Sequence, residues 1–443
     1  MKSHDFDVVV AGGGPAGVAA AIGAARAGAR VALIEETGNF GGMATSGMVP
    51  VFNPFSDGKI PVIRGIGLEI LRELRRRGSA VRKHNPLPRE IPEYDWVSLD
   101  AEKLKVVLDD FLAKAGVQAR LFTQVTEPDV RKGLITGIRS WSKSGEELWK
   151  GRVFVDTTGD ADVAARAGCP FEKGGPRGLM QPSTVCFVIA GLTPAAGRFL
   201  RTPKKITPML KAASLTGKLT GKYDHHYCLD SNNAEFTAIG FNYKHQLDTD
   251  GTDADSLTWA MIEGRRMAVE LCEFLRKNIK GCEKCFIAST ARLVGVRETR
   301  RIIGEYRMDS AHFHARRKSV DDIASYANEV DVHVVGRTLK EIKKRDIPEA
   351  NTFLEIGDHY GIPYRSLIPK GVRNLLVAGR SISCDRAMQG STRPMPACFA
   401  TGQAAGIAAR LALKCDGNVR DVATKRLQAM LLKQGAFIDL SGR

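Results

Sequence analysis

Apolar residues fall into two rhythms along this chain, and the changes between them mark its parts. Val8-Val9-Val10-Ala11 is a short continuous apolar run that suits a strand buried on both faces, and it predicts a strand over 7–11. An Ala-rich stretch then predicts a helix over 15–28, and a second apolar run predicts a strand over 30–35. A basic amphipathic helix is expected near 65–77, inside a Pro- and Gly-rich excursion at about 49–97. Leu104, Val107, Leu108 and Phe111 share one helical face, so a helix is expected over 100–115, leading into a third parallel strand at Val117–Phe122. Residues 124–155 alternate apolar and polar around Gly133, Gly137 and Gly145, as a β-meander does. Val153-Phe154-Val155 reads as a further buried strand ending at Asp156-Thr157-Thr158-Gly159-Asp160. Residues 168–355 lack the strand–helix alternation and read as an inserted α+β unit. The alternation returns at Asn374–Arg380 and closes with a small-residue helix over 396–414. The expected fold is α/β, Rossmann-like, with a central parallel sheet plus a β-meander. Its parts are 1–167 and 356–443, with 168–355 as the inserted substrate or cap domain.

Chemistry enters at the first strand–helix junction. Gly12-x-Gly14-x-x-Gly17 stands between strand and helix, and Glu35 ends the second strand 18 residues beyond Gly17. Gly12 permits a tight turn, Gly14 lets the backbone approach a pyrophosphate, and Gly17 lets the helix pack against the strand. The helix N-terminus offers free N–H groups and a positive dipole end to phosphates. Pro15 and Ala16 fill the turn. A carboxylate at Glu35, followed by Glu36, is placed to accept hydrogen bonds from ribose hydroxyls and would repel a 2′-phosphate.

The bulk composition narrows the class. The run from Val8 to Ala25 is 18 residues without a charge, but its glycines and proline mark strand, turn and helix rather than a membrane span. Asp5 and Asp7 stand where a signal peptide would be basic, so an intracellular, cytoplasmic protein is expected. Nine scattered cysteines argue against a disulfide framework, and Cys282-x-x-Cys285 has no second ligand pair to make a zinc site. The net charge is +16, with clusters at Arg75–Arg77, Lys204-Lys205, Arg316–Lys318 and Lys343–Arg345. No nucleic-acid signature accompanies them. They read as solvated faces or as a surface between copies in a homo-oligomer, and the excess helps attract an anionic cofactor or substrate. His225-His226, His312 and His314 supply no evident general base, and the last two read as a surface pair rather than metal ligands.

Taken together the motifs resemble the broad family of FAD-dependent oxidoreductases, with the glutathione-reductase-type FAD fold. The resemblance is carried by GGGPAGVAAAIGAARAGARVALIEE, GGMATSG, VDTTGDADVAARAG, GVRETRRIIGEYRM, YGIPYRSLIPKGVRNLLVAGRSIS and STRPMPACFATGQAAGIAA, spread from residue 7 to 409. It implies bound FAD. Gly41, Gly42, Met43, Ala44 and Thr45 would then run past the flavin, where small side chains leave room for the ring. The Val125 backbone would face adenine, and Thr158-Gly159 would lie at the ligand-gathering edge of the sheet. Gly379 and Arg380 would pass the pyrophosphate and ribityl chain. Arg393 and Met395 would stand at the N-terminus of the last helix, whose dipole stabilises reduced flavin.

Candidate catalytic residues are Arg393, Arg297 and Arg301. If 297–301 is helical, Arg297 and Arg301 share a face and form a carboxylate clamp; the competing role is an ion-pair network with Glu298 and Glu305. Tyr364 and Arg365 are second-tier candidates. There is no second GxGxxG, no cysteine pair at 41–48, and GRSIS and STRPMP stand where flavin hydroxylases carry a GD-rich motif. A dedicated NAD(P)H domain and monooxygenation therefore rank low. The expected reaction is hydride transfer from a small or medium polar substrate, an anion among the options, to flavin N5. Its competitors are a flavin-binding protein without turnover and a non-redox enzyme that keeps FAD as scaffold.

Overall fold

The computed structural model describes residues 1–79, 81–82, 91–175, 178–219, 226–231, 235–247, 249–333 and 350–441. A seven-stranded sheet organises the first of its two main parts. Its order is Gln118–Arg120, Val31–Ile34, Lys2–Ala11, Gly145–Asp156, Leu134–Ser142 and Gln124–Arg131, with Leu375–Val377 also pairing with Gly145–Asp156. The expected meander strand and the expected buried strand at Val153–Val155 are one element. Residues 145–150 of it pair antiparallel with Leu134–Ser142, and 154–156 pair parallel with Leu375–Val377. Gly133 and Gly145 take positive φ at the two meander turns.

The parallel register decides where the site lies. Ala11 is level with Ile34 and with Asp156, and Asp156 is level with Val377. Four strands therefore end side by side, and the residues that follow each of them collect at one carboxyl edge. Behind that edge the opening helix, Pro15–Arg26, packs on the long helix Met395–Ala412. Small residues set that distance: a Cβ on Gly402 or Gly406 would overlap the Ala16 or Ala20 carbonyl oxygen. Helix Ala101–Lys114 buries Leu104, Val107 and Leu108 as its periodicity predicts, and the Asp100 carboxylate caps it through Glu102 N and Lys103 N.

The second part has its own sheet, in the order His226–Ser231, Ala238–Tyr243, Phe187–Ala190 and Phe286–Thr290. Phe187 stacks on Phe241 across two of these strands. Helix Ala254–Asn278 and helices Pro194–Leu200 and Pro203–Leu215 cover it and contribute Leu271, Leu275, Leu200 and Leu210 to a separate core. Strand Asp322–Tyr326 pairs with Tyr360–Pro363, and Ile323, Ala324 and Tyr326 pack into the first core. Among the described residues no helix is long and apolar enough to cross a membrane; the uncharged run at Val8–Ala25 is buried strand and helix.

One local expectation is corrected here. Residues 297–301 are not helical: Arg300–Ile302 is a strand paired antiparallel with Phe171–Lys173. The Arg–Arg i,i+4 face therefore does not exist, and the cross-strand pairing has overridden the helical spacing.

Candidate functional site

A cavity of about 990 Å³ runs from the carboxyl edge of the sheet to a small apolar cluster that includes Cys186, Leu257, Met261 and Val294. Gly12, Glu35, Thr158, Gly159, Gly379 and Arg380 line one end of it, each standing just beyond the end of a parallel strand. Gly12 holds φ +96°, and a Cβ there would come 2.5 Å from the Thr157 carbonyl oxygen. A Cβ on Gly17 would overlap the Gly12 carbonyl, so the helix starts against the strand end. Gly14 is different: among the described residues, its chain neighbours aside, nothing lies within 4 Å of where its Cβ would be, and it lines the cavity. No side chain caps the helix that begins there, and no acidic residue stands in its first turn. Arg380 and Arg393 each bury an Nε–H with no hydrogen-bond partner among the described residues. Open donors, a bare helix N-terminus and guanidinium groups suit a long anionic ligand such as a dinucleotide.

Glu35 spends much of its carboxylate on the loop itself. Its Oε2 accepts from Gly13 N at 2.7 Å, and its Oε1 accepts from Thr37 N at 2.8 Å and Thr37 Oγ1 at 2.6 Å. Both Glu35 and Glu36 border the cavity. Burial, with Glu35 next and then Asp162 and Asp160, holds the Glu36 carboxyl above its usual value. Val125 borders the same end, and its carbonyl accepts from Arg166 Nη1.

The 41–45 loop divides. Gly42 and Met43 line the cavity, whereas Gly41, Ala44 and Thr45 do not. Gly41 makes the turn at φ +105° and donates to the Gly13 carbonyl, and Thr45 Oγ1 donates to the Phe40 carbonyl. Pro15, Ala16 and Met395 line the cavity with them, while Gly17 works behind it. Arg380 is pinned by Asp160, with Nη2 2.7 Å from Oδ1.

The three candidate catalytic arginines part company. Arg301 is enclosed: Nη1 donates to Glu298 Oε1 at 2.7 Å and Nη2 to the Gly174 carbonyl at 3.0 Å. Glu298 is fully buried and also accepts from Arg386 Nε and from Gln181 N, each at 3.0 Å. This is the bracing network, and Arg301 lies outside the cavity lining. Glu305 belongs elsewhere, paired with Arg420. Arg297 does line the cavity, with Nη1 donating to the Pro182 carbonyl at 2.7 Å and Thr184 Oγ1 at 2.8 Å. Arg393 lines it too and donates through Nη2 to Asp331 Oδ2 at 2.7 Å. Tyr364 and Arg365 face away, bonded to the Val419 carbonyl and to Asp321.

Beside Arg297 and Arg393 the fold brings Asp331, His333, His245 and Asn242 to the cavity wall, and none of these stood out in the sequence. They come from a loop after Asp322–Tyr326 and from the end of Ala238–Tyr243, so no spacing links them. Asp331 Oδ1 lies 3.3 Å from His333 Nε2, and the His245 and His333 rings meet edge to face with centroids 4.8 Å apart. Asp331 is held well below the usual carboxylate range because Arg393 and His333 overcome its burial. His333 is pushed well below 6.5, by burial first and by Arg297 next.

The other histidine and cysteine expectations resolve simply. His312 is fully buried rather than a surface residue, with Nε2 2.8 Å from the Gly361 carbonyl and Nδ1 3.1 Å from Tyr306 Oη. Burial also lowers its pKa. Cys282 and Cys285 are buried, and burial pushes their thiols up to about 11 and about 12. His225 and the Lys343–Arg345 cluster lie outside the described residues. No group of three or more metal-ligating side chains occurs among the described residues.

His312 gives a pH signature. The unfolded chain protonates this ring near pH 6.5 and the folded chain does so lower, so protons favour unfolding below that value. Stability is complete above pH 6.5 and falls as pH drops through it. Between pH 7.5 and 6.0 wild type should lose up to about 0.8 kcal/mol more than a His312→Gln variant. Urea unfolding at the two pH values measures this; equal losses would show that His312 titrates alike in both states.

Residues 7–431 match the family described as FAD dependent oxidoreductase. A 51-residue stretch is 53% identical to a soluble pyridine nucleotide transhydrogenase of Chromohalobacter salexigens, covering 11% of this chain and 11% of that protein. Among solved structures, p-nitrophenol 4-monooxygenase from Pseudomonas putida DLL-E4 is similar at 13% identity and TM-score 0.49, over 98% of this chain and 85% of that one. A geranylgeranyl bacteriochlorophyll reductase-like protein from Thermoplasma acidophilum is similar at 12% identity and TM-score 0.44, again over 98% and 85%.

Proposed function

The chain belongs to the FAD dependent oxidoreductase family, and from that premise we propose that it oxidises a small or medium polar substrate carrying an acidic group, bound at the cavity wall formed by Arg297, Asn242 and His245. The observation that carries this reading is the continuity of one cavity. It joins the glycine loop and strand ends to Arg297, Asn242, His245, Asp331 and His333. Gly12, Gly14, Gly42, Thr158, Gly159, Gly379, Arg380 and the open N-terminus of Pro15–Arg26 would hold the FAD phosphates and ribityl chain. Glu35, Glu36 and Val125 would take the adenosine end, and Met43, Arg393 and Met395 the flavin end. Bound FAD supplies a two-electron acceptor for a hydride from the substrate.

The protein's own contribution is binding, orientation and charge. Arg297, already fixed by the Pro182 and Thr184 oxygens, would present its guanidinium to a substrate carboxylate with little ordering cost. Arg393, paired with Asp331, lines the same cavity. The inserted unit, 168–355, would thus supply the substrate side and the remainder the cofactor side. Arg297→Ala should raise KM about 10- to 100-fold with FAD content retained, the loss expected for one charged hydrogen bond. Loss of folding or of FAD instead would assign Arg297 a bracing role.

The test of the reading is the visible spectrum of the purified protein, then anaerobic titration with amino acids, amines, hydroxy acids and sugars. Flavin bands bleached by one compound class establish the enzyme and its substrate class. Bands that none of them bleaches move the reading to binding or to non-redox catalysis.

A further inference from the structure

Resting on the reading above, we propose that the substrate is an amphiphilic acid: its carboxylate meets Arg297, and a hydrocarbon arm lies on an apolar wall made by Val49, Cys186, Leu257, Met261, Ile262 and Val294. All six line the cavity that Arg297 lines. Cys186 and Val294 are buried in one small cluster, and Val49, Leu257 and Met261 pack against it from the cavity side. Burial pushes the Cys186 thiol up to about 12, so it stands there as a small neutral group.

Helix Ala254–Asn278 builds half of this wall. Leu257 and Met261 are i,i+4 neighbours and share a face, with Ile262 beside them. The helix reaches that place because of Gly264, where a Cβ would overlap the Val185 side chain. Leu257 and Met261 remain only half-buried, and Ile262 is 42% exposed. The protein thus leaves apolar surface uncovered inside the cavity, where hydrocarbon gains by covering it and an unpaired polar group loses.

Backbone pairing joins this wall to the acid anchor and to the flavin end. Thr184, whose Oγ1 accepts from Arg297 Nη1 at 2.8 Å, exchanges both backbone hydrogen bonds with Gly295, and Ala291 N donates to the Cys186 carbonyl at 2.8 Å. Arg297, Val294 and Cys186 therefore stand on two segments zipped together. On the other side, Val49 N donates to the Met43 carbonyl at 2.9 Å, and the Ser46 carbonyl accepts from Arg292 N and Leu293 N. A molecule held by Arg297 with its arm on this wall lies beside Met43, the residue assigned above to the flavin. Phosphate-holding glycines line the other end of the cavity, so the wall is left to the substrate.

The experiment uses the FAD-loaded wild type, Met261→Trp and Met261→Ala, each checked for FAD content and melting temperature. Isothermal titration calorimetry measures binding of acetate, butanoate, hexanoate and octanoate, and of the primary alcohols of the same lengths. In wild type each added methylene should tighten acid binding about 2- to 4-fold until the wall is covered, the gain expected for a buried CH₂. Met261→Trp fills the wall and should bring octanoate close to butanoate. Met261→Ala removes part of it and should flatten the rise, octanoate losing far more than acetate. Acids that bind with no gain from chain length overturn the apolar wall and leave the Arg297 anchor standing. A gain that neither variant alters places the arm elsewhere and also overturns it. Alcohols that gain with length while no acid binds would overturn the carboxylate half and the acidic substrate of the reading above. Binding by neither series overturns both.

Discussion

Gly14→Asp should separate cofactor binding from folding: the apoprotein keeps its stability while FAD is lost. Gly14 occupies the N-cap of the opening helix at φ −67° and ψ −175°, a conformation open to any residue. Among the described residues, its chain neighbours aside, nothing lies within 4 Å of a Cβ there. Asp is among the favoured N-cap residues, so apo stability should hold or rise by a few tenths of a kcal/mol, roughly the difference between Asp and Gly at such a position. A carboxylate in the place of an approaching pyrophosphate meets like charge and fills the space that Gly left open. FAD affinity should fall by about 100-fold or more, since like-charge juxtaposition costs several kcal/mol. Gly17→Ala is the contrast. Its Cβ overlaps the Gly12 carbonyl, which no rotamer change relieves, so both fold and FAD suffer, by about 3 kcal/mol in stability. Denaturant melts of the apoproteins and FAD titrations by fluorescence quenching give both numbers. A Gly14→Asp protein that binds FAD like wild type would remove the pyrophosphate from this loop.

Glu298→Ala should be the most destabilising single change outside the core. The fully buried carboxylate receives Arg301 on one oxygen and Arg386 and Gln181 N on the other. Removing it takes from the buried Arg301 and Arg386 the carboxylate they share, leaving Arg301 the partly exposed Glu172 at 3.5 Å, and breaking a buried ion pair in this way costs about 3–5 kcal/mol. The network joins the strand Arg300–Ile302 to the short helix Arg386–Thr392, so the Arg297 loop should loosen with it. Urea unfolding measures the first effect, and proteolysis near residue 297 the second. A loss under 1 kcal/mol would show that water already screens the cluster.

Which features were legible in the sequence follows from their range. The strand, glycine turn, helix and acid at 7–35 act through neighbours in the chain, so spacing alone carries their chemistry. The same holds for the helices at 65–77, 100–115 and 396–414, where one apolar face or a run of small residues states the partner surface. At 297–301 the spacing misled, because a helical i,i+4 pattern there competes with cross-strand pairing to Phe171–Lys173 that sequence distance conceals. Arg301 then points into a polar brace and Arg297 into the cavity; strand alternation alone would put both on one face, but only Arg300–Ile302 is strand and residues 296–299 lie outside any regular element, which lets the two side chains part.

What the sequence by itself determined is the α/β class, the strand–glycine turn–helix unit that opens it and the FAD family, since each rests on local rhythm and on motifs read in order. What only the tertiary structure decided is which polar residues gather on the far wall of the cavity. Arg297, Asp331, His333, His245 and Asn242 lie on three separate segments, and each is an ordinary polar residue in its own context. They meet only in the folded chain, where burial and facing charges set the protonation of Asp331 and His333.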